Sequence, residues 1–242
     1  MKLTIDIGNT QIKIGIFNKS QLINSICFNS SQNIEQQFES LKKYNFSTSI
    51  ISSVVPTLTS KYKQKVLQVL KIDSFIITNH NCKINLKVPA PETVGPDRIC
   101  NVAATLKLYN TPAIIVDFGT ATTYDVLSKN GNFIGGVIAP GIKTSANNLI
   151  QKAALLNTTE LIFPKNIIGE NTTENIQSGI MYGALDQIEG MVKRIDKETQ
   201  TNNTIILTGG FSKIIAPQLS IDHILDIDLT LKGMVFINES NC

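Results

Sequence analysis

The sequence has no tryptophan and only two histidines in 242 residues, so a zinc site or a histidine-based catalytic triad has little to draw on. Its four cysteines are scattered without close pairs, which is typical of reduced thiols in a cytoplasm. No apolar stretch approaches the ~20 residues that cross a bilayer. A strand pattern begins directly at Met1 and leaves no room for a signal peptide. We therefore expect a cytoplasmic protein with no membrane partner.

An excess of one charge is also missing, because 22 Lys and Arg oppose 19 Asp and Glu and leave a formal net charge of +3. No basic run stands out, which argues against nucleic acid as a partner. The P-loop and the G-x-G-x-x-G dinucleotide loop are absent too. What remains is an ordinary globular composition, 42% hydrophobic and 17% charged, in a chain long enough to bury a sizeable core.

One short pattern occurs twice, about half the chain apart. Asp6–Thr10 follows the apolar run Leu3–Ile5, and Asp117–Thr123 follows the apolar run Ala113–Val116. Each copy has an acid at the end of a buried strand, then a glycine turn, then hydroxyl or amide residues. Such a turn offers N–H groups and hydroxyls to an anion, while the acid can hold a hydrated cation. The pattern predicts a polyphosphate site with a divalent metal; the alternative is two unrelated β-turns.

The order of elements repeats along with this pattern. Each half reads as three strands followed by alternating helices and strands, which predicts a duplicated α/β architecture. We expect domains at residues 1–111 and 112–242, with the ligand in the cleft between them. Helices are predicted at Ile34–Tyr44 and Ile99–Leu108, and a long helix carries an apolar stripe from Ile176 to Ile195.

The first copy extends to a lysine and forms a candidate phosphate element. Gly8 lets the backbone turn, and Asn9 and Thr10 supply donors. Lys13 adds a positive charge, and Asp6 is placed to hold Mg²⁺ through water. Alternatively, this is a solvated hairpin mouth and Lys13 is a surface lysine. The whole element consists of Asp6, Ile7, Gly8, Asn9, Thr10, Gln11, Ile12 and Lys13.

The second copy offers a hydroxyl and an acid in the same arrangement. Thr120 can donate to a phosphate while Asp117 holds a cation. Asp125 is either a further acid of this cluster or an ordinary strand residue, and we favour the ordinary role. Farther along, Gly209 and Gly210 end a strand, where bare backbone would accept a flat adenine ring or simply turn the chain.

Between the two copies, Gly95-Pro96-Asp97-Arg98 opens a helix after a proline-rich loop. An acid beside an arginine at a helix start suits a small substrate that carries hydroxyl and carboxylate groups. Alternatively, Asp97 only caps the helix and Arg98 is a surface cation.

The long helix contains three glycines, which lower its stability unless something packs close to them, either another helix or a partner subunit. They are Gly179, Gly183 and Gly190.

Together these motifs resemble the type III pantothenate kinase family, which belongs to the acetate kinase/sugar kinase/Hsp70/actin superfamily. The similarity spans nearly the whole chain. It rests on the two Asp-x-Gly motifs, on Gly95–Arg98, and on further matches at Gly135–Gly141, Asn171-Thr172, Gln177–Gly179, Tyr182-Gly183 and Thr208–Gly210. The resemblance implies a duplicated ribonuclease-H-like, actin-like ATPase fold with two similar lobes around a central cleft. It also implies phosphorylation of the primary hydroxyl of pantothenate by ATP, giving 4'-phosphopantothenate, the first step towards coenzyme A.

The resemblance further implies roles for individual residues. Asp6 to Lys13 would be the ATP phosphate loop, Thr120 would contact ATP, and Asp117 would hold K⁺ or NH₄⁺. Asp97 would be the catalytic base. Family members are homodimers with pantothenate near the subunit interface. Pantothenate would be bound by Val88, Gly95, Pro96, Asp97, Arg98 and Thr172.

Two positions depart from the family pattern. Pro96 replaces a small or apolar residue, and Val88 stands where many members have an aromatic substrate contact. Two other activities fit the same motifs: another small-molecule kinase acting on a sugar or acetate, or a non-catalytic regulator that keeps the nucleotide site.

Overall fold

The computed structural model describes residues 1–153 and 156–241. Strands are β1 Lys2–Ile7, β2 Gln11–Asn18, β3 Gln21–Asn29, β4 Thr48–Ser53, β5 Ser74–Ile76, β6 Ala113–Phe118, β7 Ala121–Leu127, β8 Phe133–Pro140, β9 Thr204–Gly209 and β10 Ile224–Leu225. Helices are α1 Ile34–Glu39, α2 Pro56–Leu70, α3 Pro96–Leu108, α4 Ile142–Lys152, α5 Thr172–Thr199, α6 Ser212–Ile215 and α7 Leu229–Glu239. Short 3₁₀ turns lie at Pro91–Thr93 and Ala216–Gln218.

The described residues form two compact units. Unit 1 contains residues 1–110, 131–134 and the stretch from Asp228 on, and unit 2 contains Thr111–Asn130 and Gly135–Ile227. These units differ from the contiguous halves 1–111 and 112–242 mainly at 131–134 and after 227. The last stretch belongs to unit 1 because α7 packs against α3 and β1.

Each unit is built on one five-stranded sheet, and the two sheets have the same topology. In unit 1 the strand order is β3-β2-β1-β4-β5, and in unit 2 it is β8-β7-β6-β9-β10. The first strand of each sheet, β1 or β6, pairs antiparallel with the strand that follows it and parallel with β4 or β9. The predicted duplication of an α/β architecture is therefore confirmed.

Strand alternation separates the core of unit 1 from its polar face. Leu3, Ile5 and Ile7 are buried in an apolar cluster with Phe38 of α1 and Tyr62 of α2. Residues at the even positions of β1 point to the other face of the sheet. There α7 comes so close that a β-carbon at Gly15 would lie 2.9 Å from Leu231 Cδ1.

Unit 2 follows the same plan. Ile114, Val116 and Phe118 of β6 form its core with the apolar stripe of α5, which includes Met181 and Ile188. The predicted long amphipathic helix is confirmed. No helix among the described residues is long and apolar enough to span a bilayer.

Two predicted helix boundaries are wrong. The helix expected to reach Tyr44 ends at Glu39, because the Ser40 hydroxyl bonds to the Gln37 carbonyl and the chain continues in tight turns. The helix expected to start at Ile99 begins at Pro96, whose fixed φ suits a first helical position.

Candidate functional site

The first acid–glycine pattern forms the β1–β2 hairpin turn. The Gly8 N–H donates to the Gln11 carbonyl over 2.9 Å, and Asn9 and Thr10 are exposed at the tip. Ser30, just after β3, braces this tip: its N–H donates to the Thr10 carbonyl over 3.0 Å and its hydroxyl to the Asn9 carbonyl over 2.9 Å. The exposed backbone at the tip is thus held in one shape, as an anion-binding turn requires. The sequence reading missed Ser30.

A row of polar side chains crosses the sheet of unit 1 beside this turn. Asp6 is directly opposite Lys13 on β2 and in register with Ser52 on β4, and Lys13 is in turn opposite Cys27 on β3. The Ser52 hydroxyl donates to Asp6 Oδ1 over 2.9 Å. Ser52 is fully buried, so this bond fixes the Asp6 carboxylate from below the surface. Nothing local in the sequence links Ser52 to Asp6, and it was not predicted.

Lys13 has a partner at the far end of the chain. Its ammonium lies 2.9 Å from the carboxylate of Asp228, the residue just before α7, and both side chains are largely buried. Asp228 too was missed, since sequence reasoning had assigned no role to the stretch that precedes α7.

Asp97 lies in the first turn of α3. Gly95 occupies the N-cap position, so Asp97 is not the N-cap residue, although its carboxylate does bind an amide of the first turn, as the alternative interpretation expects. Its Oδ1 accepts a hydrogen bond from the Arg98 N–H over 2.8 Å. Burial raises the pKa of the Asp97 carboxyl, while the Arg98 amide and guanidinium partly offset the increase. A carboxylate that holds a proton more readily than usual is suited to act as a base.

Asp6 and Asp97 both act on one buried thiol. Burial raises the pKa of Cys100 well above its usual value, and the charges of Asp6 and Asp97 raise it further, whereas a hydrogen bond with Ser52 lowers it. Cys100 is three residues after Asp97 on the same helix, hence on the same side of it. The structure therefore brings the acid of the first turn, Ser52 and Asp97 into one neighbourhood within unit 1.

Arg98 and the backbone next to Val88 both contact Phe133. The Arg98 guanidinium lies 5.5 Å from the centroid of the Phe133 ring, close enough for a cation–π contact. The backbone next to Val88 is bound to the same residue, because the Lys87 N–H donates to the Phe133 carbonyl over 2.8 Å. Val88 and Arg98 are each half-buried. Phe133 was not among the predicted site residues.

The second acid–glycine pattern forms the β6–β7 turn of unit 2. The Gly119 N–H donates to the Ala121 carbonyl over 3.0 Å, which makes this turn one residue shorter than the first. The start of α4 braces it, since the Gly141 N–H and the Thr144 hydroxyl donate to the Thr120 carbonyl over 3.1 and 2.6 Å. The Thr120 side chain stays exposed, as a ligand-binding hydroxyl must.

Asp117 occupies the place in unit 2 that Asp6 has in unit 1. It is opposite Thr123 on β7 and in register with Thr208 on β9, so an acid again stands between two polar residues. Gly209 has a φ of +88°, and a β-carbon there would lie 2.4 Å from Asp117 Oδ1. This glycine is thus required to make room for the Asp117 carboxylate, a reason that the sequence did not suggest. Adenine binding at Gly209 and Gly210 stays a prediction.

Thr172 is the first residue of α5 and is exposed. The preceding Asn171 caps the helix, accepting a hydrogen bond from the Glu174 N–H over 3.0 Å. Thr172 belongs to unit 2, whereas Asp97 and Arg98 belong to unit 1. Its role in substrate binding stays a prediction.

The oxygen atoms near Asp6 and Asp117 suit cations that take most of their other ligands from a bound nucleotide and from water. Within residues 1–153 and 156–241, no group of three or more His, Cys, Asp or Glu side chains is arranged to hold a metal ion. Asp6 offers a single carboxylate beside the first glycine turn, and Mg²⁺ bound with a nucleotide usually needs only one or two carboxylates. Asp117, between the threonines of β7 and β9, likewise presents oxygen atoms that suit a hard cation.

Paired five-stranded sheets, each with an acid and a glycine turn after its first strand, define a duplicated ribonuclease-H-like fold of the actin-like ATPase class. Solved structures share this fold. A putative 2-dehydro-3-deoxygalactonokinase from Sinorhizobium meliloti has a TM-score of 0.64 at 8% identity, covering 99% of this chain and 96% of the other. A putative Baf family transcriptional activator from Campylobacter jejuni has a TM-score of 0.63 at 20% identity, covering 99% and 98%. The activator of 2-hydroxyisocaproyl-CoA dehydratase from Clostridium difficile, with bound ADPNP, has a TM-score of 0.58 at 12% identity, covering 99% and 95%.

Sequence comparison identifies the family. The family model for type III pantothenate kinase matches residues 2–194. A type III pantothenate kinase of Bacillus cytotoxicus is 36% identical over 100% of this chain and 97% of its own length. One from Sulfurihydrogenibium sp. is 35% identical over 99% of this chain and all of its own. The chain belongs to the type III pantothenate kinase family, and it is an ATP-dependent kinase that phosphorylates pantothenate in coenzyme A biosynthesis.

Proposed function

We propose that Asp97 is the catalytic base of this kinase and that the turn from Asp6 to Lys13 binds the phosphates of ATP. The observation that carries the proposal is a chain of contacts within unit 1. Ser52 bonds both to the Asp6 carboxylate and to the Cys100 thiol, and Cys100 lies one turn after Asp97 on the same side of α3. A phosphate turn and a base linked through the same few residues suit direct transfer of a phosphoryl group to a hydroxyl.

Asp97 accepts or orients the proton of the primary hydroxyl of pantothenate. Phosphoryl transfer has a loose transition state, so positioning and charge neutralisation contribute most of the catalysis. The raised pKa of Asp97 favours proton acceptance, and the Arg98 N–H keeps the carboxylate in one orientation. In this proposal the exposed tip of the turn, at Asn9 and Thr10, and the Lys13 ammonium contact the phosphates of the nucleotide.

We propose Mg²⁺ and a monovalent cation as the metal ions of the reaction. Asp6 would hold Mg²⁺ through water, and this ion supplies charge neutralisation on the phosphates. Asp117 would hold K⁺ or NH₄⁺, and the exposed Thr120 hydroxyl would contact ATP. The lack of a side chain at Gly209 supports this role, because it leaves room for the Asp117 carboxylate beside the second turn.

We propose that Arg98 binds the carboxylate of pantothenate, because a guanidinium pairs with carboxylates in a fixed geometry. Its contact with the Phe133 ring supports this role by limiting where the guanidinium can lie. In the same proposal Gly95 and Pro96 shape the loop before α3, and Val88 and Thr172 are further residues that would contact pantothenate.

We also propose a cytoplasmic homodimer. Gly179 and Gly183 lie on one exposed side of α5, and no described atom comes within 4 Å of a β-carbon built on either. Of the two expected explanations, close packing against another helix of this chain is not seen among the described residues, and this supports packing against a second subunit. Sedimentation velocity tests this: we expect a dimer, and a Gly183→Leu variant that sediments as a monomer.

The substrate is tested by a coupled assay for ADP release with a panel of acceptors. Purified protein with MgATP and K⁺ is given pantothenate, a hexose, acetate or no acceptor. We expect rapid ADP release with pantothenate alone. Rapid release with the hexose or acetate would identify a different small-molecule kinase, and nucleotide binding without release in any reaction would identify a regulator.

A further inference from the structure

The ion pair between Lys13 and Asp228 joins the phosphate turn to the start of α7. The distance between the ammonium and the carboxylate is 2.9 Å, and the two side chains are 29% and 17% exposed. A lysine side chain has several rotatable bonds and loses substantial entropy when it is fixed. A partly buried carboxylate at this distance limits the positions that the ammonium takes.

Asp228 occupies the N-cap position of α7, yet its side chain makes no capping hydrogen bond. The asparagines at the same position of α1 and α5 do cap their helices, Asn33 bonding to the Glu35 N–H and Asn171 to the Glu174 N–H. An aspartate at an N-cap position normally makes such a bond. The carboxylate of Asp228 is instead directed to Lys13, so helix capping does not explain its orientation.

The position of Lys13 on β2 explains why its ammonium would need a restraint from Asp228. Lys13 is directly opposite Asp6, and opposite charges at facing positions of two antiparallel strands attract each other. An ammonium drawn onto Asp6 would neutralise the acid that is proposed to hold the nucleotide's cation. Asp228 offers the ammonium a second carboxylate, which competes with Asp6 for its charge.

We propose that Asp228 is a positioning residue for Lys13: it holds the ammonium beside the phosphate turn and away from Asp6. The inference rests on the proposed binding of ATP phosphates by the Asp6–Lys13 turn. The inference and simple electrostatics predict opposite changes in nucleotide affinity when the charge of Asp228 is removed. Removing a negative charge near a polyphosphate site should strengthen nucleotide binding, whereas loss of a positioning carboxylate should weaken it.

A double-mutant cycle separates these effects, with nucleotide affinity as its readout. Binding of a non-transferable ATP analogue with Mg²⁺ is measured by calorimetry for the wild type, Asp228→Asn, Lys13→Met and the double variant. Asparagine is close to aspartate in size and equally favoured at an N-cap position, so Asp228→Asn removes the charge with little change to the start of α7. We expect Asp228→Asn to weaken binding about tenfold, the size of one charge-assisted contact. In the Lys13→Met background we expect it to leave affinity unchanged or slightly stronger.

Steady-state kinetics add a second readout, in which Asp228→Asn raises KM for ATP and leaves KM for pantothenate unchanged. Asp73→Asn, at an exposed aspartate elsewhere in unit 1, is the control for loss of a charge and should change neither. If Asp228→Asn does not fold, Asp228→Glu and Asp228→Ser replace it in the same cycle, and glutamate should retain most of the affinity.

The outcomes distinguish the inference from the function on which it rests. Equal weakening in both backgrounds, no change, or tighter binding by Asp228→Asn in the wild-type background would overturn the positioning role. If Lys13→Met alone leaves nucleotide affinity unchanged, the proposed phosphate turn fails, and the role of Asp228 fails with it. If Lys13→Met weakens binding but Asp228→Asn does not, the phosphate turn stands and only the positioning role is lost.

Discussion

The α-carbon of Gly233 on α7 faces the backbone of Cys100 on α3 so closely that a β-carbon at Gly233 would lie 1.8 Å from the Cys100 carbonyl oxygen. No side chain fits there unless the two helices move apart. Since α3 carries Asp97 and α7 follows Asp228, this contact fixes the spacing of two elements of the candidate site.

Gly233→Ala should therefore lower both stability and activity. Forcing a methyl group between two backbones costs about 3 kcal/mol in the free energy of unfolding, and it displaces the start of α3. Urea unfolding and turnover with pantothenate measure the two effects. Gly190→Ala on α5 is the matched control, because nothing lies within 4 Å of its added β-carbon, and alanine favours a helix over glycine. Wild-type stability in the Gly233 variant would contradict the contact.

Ser52→Ala should impair the use of ATP more than it impairs folding. The variant removes the hydroxyl that fixes the Asp6 carboxylate, and hydrogen bonds to charged groups contribute about 1.5–3 kcal/mol. We expect kcat/KM for ATP to fall about tenfold with KM for pantothenate unchanged. The control is Ser49→Ala on the same strand, where the buried serine accepts a hydrogen bond from Ser74 instead. Equal kinetics for the two variants would count against the role of Ser52.

Asp97→Asn should stabilise the folded protein at neutral pH. The pKa of Asp97 is raised in the folded state, so the folded protein binds a proton more tightly than the unfolded chain and loses stability as pH rises through that pKa. Asparagine removes this penalty. Denaturation at a series of pH values should show a gain for Asp97→Asn at pH 7 that vanishes below about pH 4, where aspartate is protonated in both states. A gain that is independent of pH would refute the assignment of the raised pKa.

Tyr124→Phe should leave the protein at least as stable as the wild type. Tyr124 is fully buried in the core of unit 2, burial raises its pKa to about 12, and its hydroxyl has no hydrogen-bond partner among the described residues. An unpaired buried hydroxyl costs about 1–3 kcal/mol, so its removal should increase the melting temperature. A clear loss of stability would mean that the hydroxyl has a partner.

Local patterns were enough to predict the architecture and the two acid–glycine turns. Alternating apolar residues define the strands around Asp6 and Asp117, and glycine marks each turn, so both signals lie within about ten residues. The helix start at Pro96 was placed too late because the apolar period begins only at Ile99, although proline itself marks a first turn.

The supporting residues of the site could not be predicted in this way. Ser52 meets Asp6 through a parallel pairing of β1 and β4, and Asp228 reaches Lys13 from the other end of the chain. Phe133, which contacts Arg98, is 35 residues away in the sequence, and Gly209 is required because any side chain there would collide with Asp117. These contacts follow from strand register and helix packing, which a single sequence does not reveal.

The most direct test of the account compares turnover and nucleotide binding in the wild type and Asp97→Asn. The wild type should release ADP only when pantothenate is present, and loss of the base should lower kcat at least about 100-fold. Affinity for a non-transferable ATP analogue should stay within about twofold, since the phosphate turn is untouched. Near-normal turnover by Asp97→Asn would contradict the central claim that this carboxylate activates the hydroxyl of pantothenate.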